Sequence, residues 1–446
     1  MTALSPAPAT PRLSLLHGLA AGWDFEGYLR RRARRSDPFA VGFPGFPPVL
    51  FTGTAEGARE LFRAPVALVG PPLPNPIEPM VGAASLILSS GERHRTDRAL
   101  LAPALHAQRV RALAPVIRDA TLREIDGSPA GSWQVGSRID GLAAAHSITL
   151  RVILAAVFGT KFDRESEYAA AVADFLATFT TPLLVAPVIR RRLGGFGPWQ
   201  RFVAARTRLD RLLLAEITRR RRASGSEATD LLDLLLTIRY DDGSVLTDTE
   251  LCEHLRALLA AGHETAATTL TWALYHLHRE PGLLARVTAE LAAAGDDPAE
   301  QATLPLLGAV CQETLRLHPP VPIVLRMLTE PWRWRGVDVA AGQTIGLAVG
   351  VLHSQPSIWP APRLFHPDRF LDRKVSPFEF APFGGGHRRC IGVTLAEYEL
   401  RIVLATLLTE VRLSLDPDLA LGRRPRTVPR NIAVAPDRAI HFTRTA

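Results

Sequence analysis

The run from Leu246 to Pro281, LTDTELCEHLRALLAAGHETAATTLTWALYHLHREP, constrains this chain more than any other stretch. Thr247 is placed to cap a helix, Glu250 to close a capping box with it, and Leu246 and Leu251 to staple the entry. Nothing stops the helix before Glu280 and Pro281, so it is expected to span residues 247–279. At 1.5 Å per residue that is a rod of about 48 Å, long enough to cross a large domain. Its middle is interrupted by Gly262, Glu264 and Thr265. A glycine there costs about 1 kcal/mol relative to alanine, and an unpaired buried carboxylate costs more. One account is close packing at Gly262, with Thr265 bonding back to a carbonyl one turn earlier. The other is a set of polar groups lining a groove beside a ligand.

Most other periodic segments also read as helices. Residues 39–53 (FAVGFPGFPPVLFTG) and 332–350 (WRWRGVDVAAGQTIGLAVG) carry β-type residues punctuated by Gly and Pro, as strands with turns do. No repeat or long low-complexity linker divides the 446 residues. The expected fold is mainly α with a small β region, in a single domain spanning 1–446. Residues 1–36 form a Pro- and Arg-rich N-terminal segment.

Apolar residues make up 47% and charged residues 22%, enough for a sizeable core. The net charge of +8 invites an acidic partner. The arginine clusters at 30–35, 190–192 and 219–222 lack the interleaved aromatics of a base-stacking surface, so they read as solvated helix ends and no nucleic acid is expected. Cys252, Cys311 and Cys390 form no CxxC pair, which argues against a zinc site or disulfide framework and fits a reducing cytoplasm. No signal peptide is apparent, and the apolar run at 175–189 is short and holds two prolines, so no membrane anchor is expected.

Two further constellations carry chemistry. In CQETLRLHPP, Glu313 and Arg316 are three apart on a helix that Pro319 ends, so they can meet on one face. Arg369, in FHPDRF, can join them. In FGGGHRRCIG, residues 383–392, glycines allow positive φ and close approach to a flat ligand. Cys390 stands just before an apolar helix, near its positive end, with Arg388 and Arg389 adding charge. These influences favour thiolate over thiol. Such a sulfur is a nucleophile or a metal ligand; the first role needs a base, for which His94 or His353 would be candidates.

The set Phe383, Gly386, Arg388, Cys390 and Gly392 resembles the haem-binding loop of the cytochromes P-450. Glu313, Arg316 and Arg369 resemble that family's supporting network, and AGHET its oxygen-binding groove, in the same order along the chain. The resemblance implies haem b with Cys390 as axial ligand of the iron, and Phe383, Gly384 and Ala261 beside the cofactor. It places Glu264 and Thr265 as the pair that holds water and delivers protons to dioxygen. His94, Arg98, Arg326 and Arg388 match propionate-binding positions.

The implied activity is monooxygenation: one oxygen atom leaves as water and the other enters the substrate. The segments at 66–88, 179–189 and 322–324 match pocket-lining positions, with Ala260, Ala261, Pro322 and Val324 at the pocket. They are nearly free of charge, which suits a lipophilic substrate such as a terpenoid, steroid or fatty acid. No flavin or nicotinamide domain follows the cysteine helix, so electrons from NAD(P)H are expected through ferredoxin reductase and ferredoxin. The resemblance is to the soluble bacterial type, expected to be cytoplasmic and monomeric. A peroxide-driven peroxygenase and a non-catalytic haem sensor or carrier are the alternatives.

Overall fold

The computed structural model describes residues 24–42, 47–127, 133–160, 162–185, 189–190, 196–222, 230–240, 242–430 and 432–446. The long helix runs from Asp248 to Arg279, with Glu280 as its C-cap. The capping box is formed: Thr247 Oγ1 accepts from the Glu250 amide at 3.3 Å, and Glu250 Oε2 accepts from the Thr247 amide at 2.8 Å. Leu246 and Leu251 are both buried.

This helix joins two apolar cores. Its first half, Leu251 to Ala260, packs into a cluster with Leu150, Ile153, Phe175 and Phe202. Its second half, from Ala267 onward, packs with Leu307, Val310, Val403 and Leu404. Residues 261–265 fall between the two clusters, which is where a chain can place polar groups without breaking either core. The helices Pro305–Leu317 and Val393–Glu410 flank the second core, and the helix Gly141–Phe158 packs along the central helix.

The β structure sits to one side. A five-stranded sheet has the order Phe39–Val41, Val49–Thr52, Thr344–Ala348, Ile323–Leu328 and Val69–Gly70. The Val49–Thr52 and Thr344–Ala348 strands pair in parallel and the others antiparallel. Both strand regions expected from the sequence are present. The register places Arg326 opposite Ile345, so the sheet fixes where that guanidinium emerges.

Some expectations need correction. Arg220 is not a solvated helix end: its guanidinium bonds Glu216, Asp230, Asp233 and the Phe158 carbonyl, tying three helices together. Arg191 and Arg192, and residues 1–23 of the N-terminal segment, lie outside the described residues. Among the described residues, helix Gly141–Phe158 is long and apolar enough to cross a membrane, but most of it is buried inside the protein. All three cysteines are free.

Candidate haem-thiolate site

The cysteine loop is held by its own backbone and by a neighbouring helix. The Cys390 amide donates to the Phe383 carbonyl at 2.9 Å, closing the loop, and the Gly384 amide donates to Ala381. Gly384 and Gly386 have φ of 65° and 66°. A Cβ on Gly386 would lie 2.3 Å from the Phe62 carbonyl oxygen. The approach of helix Ala55–Arg63 therefore requires a glycine at 386, while at Gly384 the positive φ favours one. Gly386→Ala combines a left-handed backbone with this overlap. It should cost at least about 2 kcal/mol and lower both the thermal midpoint and haem retention.

Cys390 lies two residues before the N-cap of Val393–Glu410. The residue as a whole is exposed. Burial holds the thiol above its usual pKa, against the Gly392 amide and the charges of Arg98 and Arg389. The expectation that the loop alone favours thiolate is thus corrected. Desolvation wins, so a bound cation is what would stabilise the anion. Cys252 and Cys311 are buried and pushed up to about 12 by desolvation, which makes them inert.

Near the loop, positive groups converge from three elements. His94 and Arg98 share the helix Gly91–Leu101, Arg326 comes from the sheet, and His387 and Arg388 come from the turn before Cys390. His94 is only 3% exposed, and its ring meets that of His387 edge-on with centroids 5.9 Å apart. Burial pushes His94 down to about 3, reinforced by Arg388, His387, Arg98 and Arg326. Burial likewise pushes Arg326 and Arg388 down to about 10, each with a further arginine opposing it. Among the described residues, none of Arg98, Arg326 and Arg388 forms an ion pair, and Arg388 Nε is buried without a partner. Ser89 and Ile87 carbonyls take its other donors. A cluster this repulsive calls for anions. His387, which sequence reasoning did not single out, stands inside the quoted loop.

Glu313, Arg316 and Arg369 are brought together as expected. Arg316 grips Glu313 with two bonds of 2.7 and 2.8 Å, both residues being fully buried, and Arg369 Nε reaches Glu313 Oε1 at 3.2 Å. Arg316 also donates to the carbonyls of His353, Pro362 and Leu364. His353 Nδ1 is 3.1 Å from the Arg316 carbonyl, while its Nε2 accepts from the Ala381 amide at the root of the cysteine loop. Both its nitrogens are committed, and burial pushes it down to about 3, so it is not a base for Cys390. His94, held neutral among cations, sits in the anion-binding cluster.

On the central helix both readings of the interruption hold. Gly262 is packed closely, since a Cβ there would meet Ile153 Cδ1 at 2.7 Å, and Thr265 Oγ1 donates to the Ala261 carbonyl at 2.7 Å. Yet Ala261 and Thr265 keep free surface, and Glu264 beside them is buried. Burial works to raise the Glu264 carboxyl, but His146 foremost, with His263 and Arg430, holds it below its usual value. Of the expected pocket residues, Val324 keeps free surface and lies 3.7 Å from where a Gly384 Cβ would be. Ala260 and Pro322 do not fit the expectation: Ala260 is fully buried in the first core, and Pro322 is buried beneath the sheet.

A family model described as Cytochrome P450 matches residues 6–440. Cytochrome P450 138 of Mycobacterium tuberculosis is 31% identical over 97% of this chain and 96% of its own length. Cytochrome P450 135B1 of the same organism is 32% identical over 90% and 80%. Among solved structures, retinoic-acid-bound cyanobacterial CYP120A1 superposes with a TM-score of 0.84 at 23% identity, covering 98% of this chain and 99% of that one. The haem domain of cytochrome P450DA gives 0.82 at 21%, covering 99% and 98%. The chain belongs to the cytochrome P450 family. It is a haem-thiolate monooxygenase, an oxidoreductase that uses haem and dioxygen.

Proposed function

We propose that this monooxygenase hydroxylates a lipophilic small molecule of terpenoid, steroid or fatty-acid-like character. Electrons come from NAD(P)H through ferredoxin reductase and ferredoxin, in the cytoplasm. The observation that carries the reading is the juxtaposition on the central helix of free apolar surface at Ala261, the half-exposed Thr265 and the buried Glu264. Haem b, when bound, supplies the iron at which dioxygen is split. This chain's residues do the rest. Cys390 would ligate the iron, with Phe383 and Gly384 lining the approach. His94, Arg98, Arg326 and Arg388 would hold the propionates, and Glu313, Arg316 and Arg369 would brace the loop. Thr265, with its hydroxyl proton given to the Ala261 carbonyl, presents oxygen lone pairs that can hold a water, and Glu264 supplies protons through that water. Ala261 and Val324 would turn apolar surface to the substrate.

The test is reconstitution of the haem-loaded protein with ferredoxin, ferredoxin reductase and NAD(P)H, against a panel of terpenoids, steroids and fatty acids. The expected result is a haem spin shift with some members and a product carrying one added oxygen. Product with hydrogen peroxide and none with the ferredoxin system would replace this reading by a peroxygenase. Spin shifts with polar compounds alone would overturn the substrate class.

A further inference from the structure

Gly262 does more than accommodate a neighbour. By letting helix Gly141–Phe158 come close, it brings a second set of polar side chains against Glu264. His146, Thr149 and Ile153 are three and four residues apart and so share one face of that helix. Thr149 Oγ1 lies 2.9 Å from His263 Nδ1 and 2.9 Å from the Ala145 carbonyl, which fixes the His263 ring across the helix pair. The His146 ring rests against it with centroids 4.8 Å apart, and its Nε2 is 3.7 Å from Glu264 Oε2. That nitrogen is shut off from water and has no hydrogen-bond partner among the described residues, while 24% of the His146 side chain stays exposed. One nitrogen of the imidazole thus addresses a buried carboxylate while the side chain keeps contact with water.

We propose that His146 is the proton-entry group of the oxygen site, loading the Glu264 carboxylate from solvent. The inference rests on the reading of Glu264 as the acid that supplies protons beside Thr265. In the delivering step the N–H bond at His146 Nε2 breaks and an O–H bond forms at Glu264 Oε2, leaving a neutral imidazole and a neutral carboxyl. The ring then turns outward to take its next proton from water. No hydrogen bond pins it, and 3.7 Å closes to a hydrogen bond with a small rotation. The other groups facing Glu264 cannot do this. His263 is pushed down to about 3 by burial and is tied to Thr149, and Arg430, on strand Thr427–Arg430, keeps its charge throughout.

The experiment compares wild type, His146→Gln and Glu264→Gln as haem-loaded full-length proteins, using a compound from the panel that shifts the haem spin state. Product per NAD(P)H and peroxide released are followed as a function of pH. In wild type, coupling should fall as pH rises. In His146→Gln it should be lower by about tenfold, with peroxide making up the difference, and flat with pH, while the carbon monoxide band and spin shift are unchanged. Infrared difference spectra supply a readout without turnover. With His146 gone, burial is opposed only by His263 and Arg430, and the protonated Glu264 carboxyl band should persist to higher pH than in wild type. Coupling and pH dependence like wild type in His146→Gln, with Glu264→Gln uncoupled, would overturn the role of His146 alone. If Glu264→Gln were also fully coupled, the reading of Glu264 would fall and take this inference with it.

Discussion

Cys390→His abolishes the strongly red-shifted Soret band of the dithionite-reduced, carbon-monoxide-bound protein and lowers oxygenase turnover by more than about a hundredfold. Loss of a residue that merely orients a metal ligand costs roughly 10- to 100-fold, so loss of the ligand itself should exceed that. The physical reason lies in the loop. Burial keeps the Cys390 thiol protonated when nothing binds it, because the Gly392 amide and the charges of Arg98 and Arg389 do not offset desolvation. Iron would supply the missing charge, and a thiolate then pushes electron density that favours O–O cleavage. A neutral imidazole in its place brings no such push and leaves the Gly392 amide without its sulfur acceptor. Haem can still bind, since the cationic cluster of Arg98, Arg326 and Arg388 is untouched, so the spectrum should move to the shorter wavelength of histidine ligation. A retained red-shifted band with full turnover would mean that Cys390 is not the ligand.

How much of this was legible in the sequence follows from the range of each interaction. The central helix and its cap were readable because the capping box is local, and Glu313 with Arg316 because both lie on one helical turn. The cysteine loop was readable as a motif, but its energetics were not. Two arginines and a helix terminus suggested a thiolate, whereas the desolvation that overrides them depends on how tightly the fold encloses the sulfur. The contact that demands a glycine at 386 gave no local signal, since Phe62 is more than three hundred residues away in the chain. His146 gave no signal at all: it stands in an apolar helix, and only the packing at Gly262 brings it to Glu264. Ala260 was misplaced because one residue's step along a helix turns a side chain by about 100°, from the partly exposed position at Ala261 into the core.

The Glu313 network gives the second large effect, on folding and haem incorporation and not on the chemistry. Glu313→Ala leaves Arg316 fully buried without its counter-charge and deprives Arg369 of a partner, which should cost about 3–5 kcal/mol. That is a large fraction of the roughly 5–15 kcal/mol that holds a native protein together, so the variant should accumulate without haem or fail to accumulate. Arg369→Ala should be milder, because Arg316 continues to neutralise Glu313. The more telling case removes both charges. Replacing a buried ion pair with apolar residues is often neutral, and Glu313→Leu with Arg316→Met would test that here. It should remain unstable, because Arg316 also satisfies the carbonyls of His353, Pro362 and Leu364, and Glu313 accepts from the His366 amide. Of these groups the His353 carbonyl is buried, and an apolar pair leaves it unsatisfied. His353 passes the damage on to Ala381, and so to the root of the cysteine loop. Haem content and thermal midpoint of the double variant measure this. Recovery to wild-type values would show that the network acts only as an ion pair and does not anchor the loop that presents Cys390.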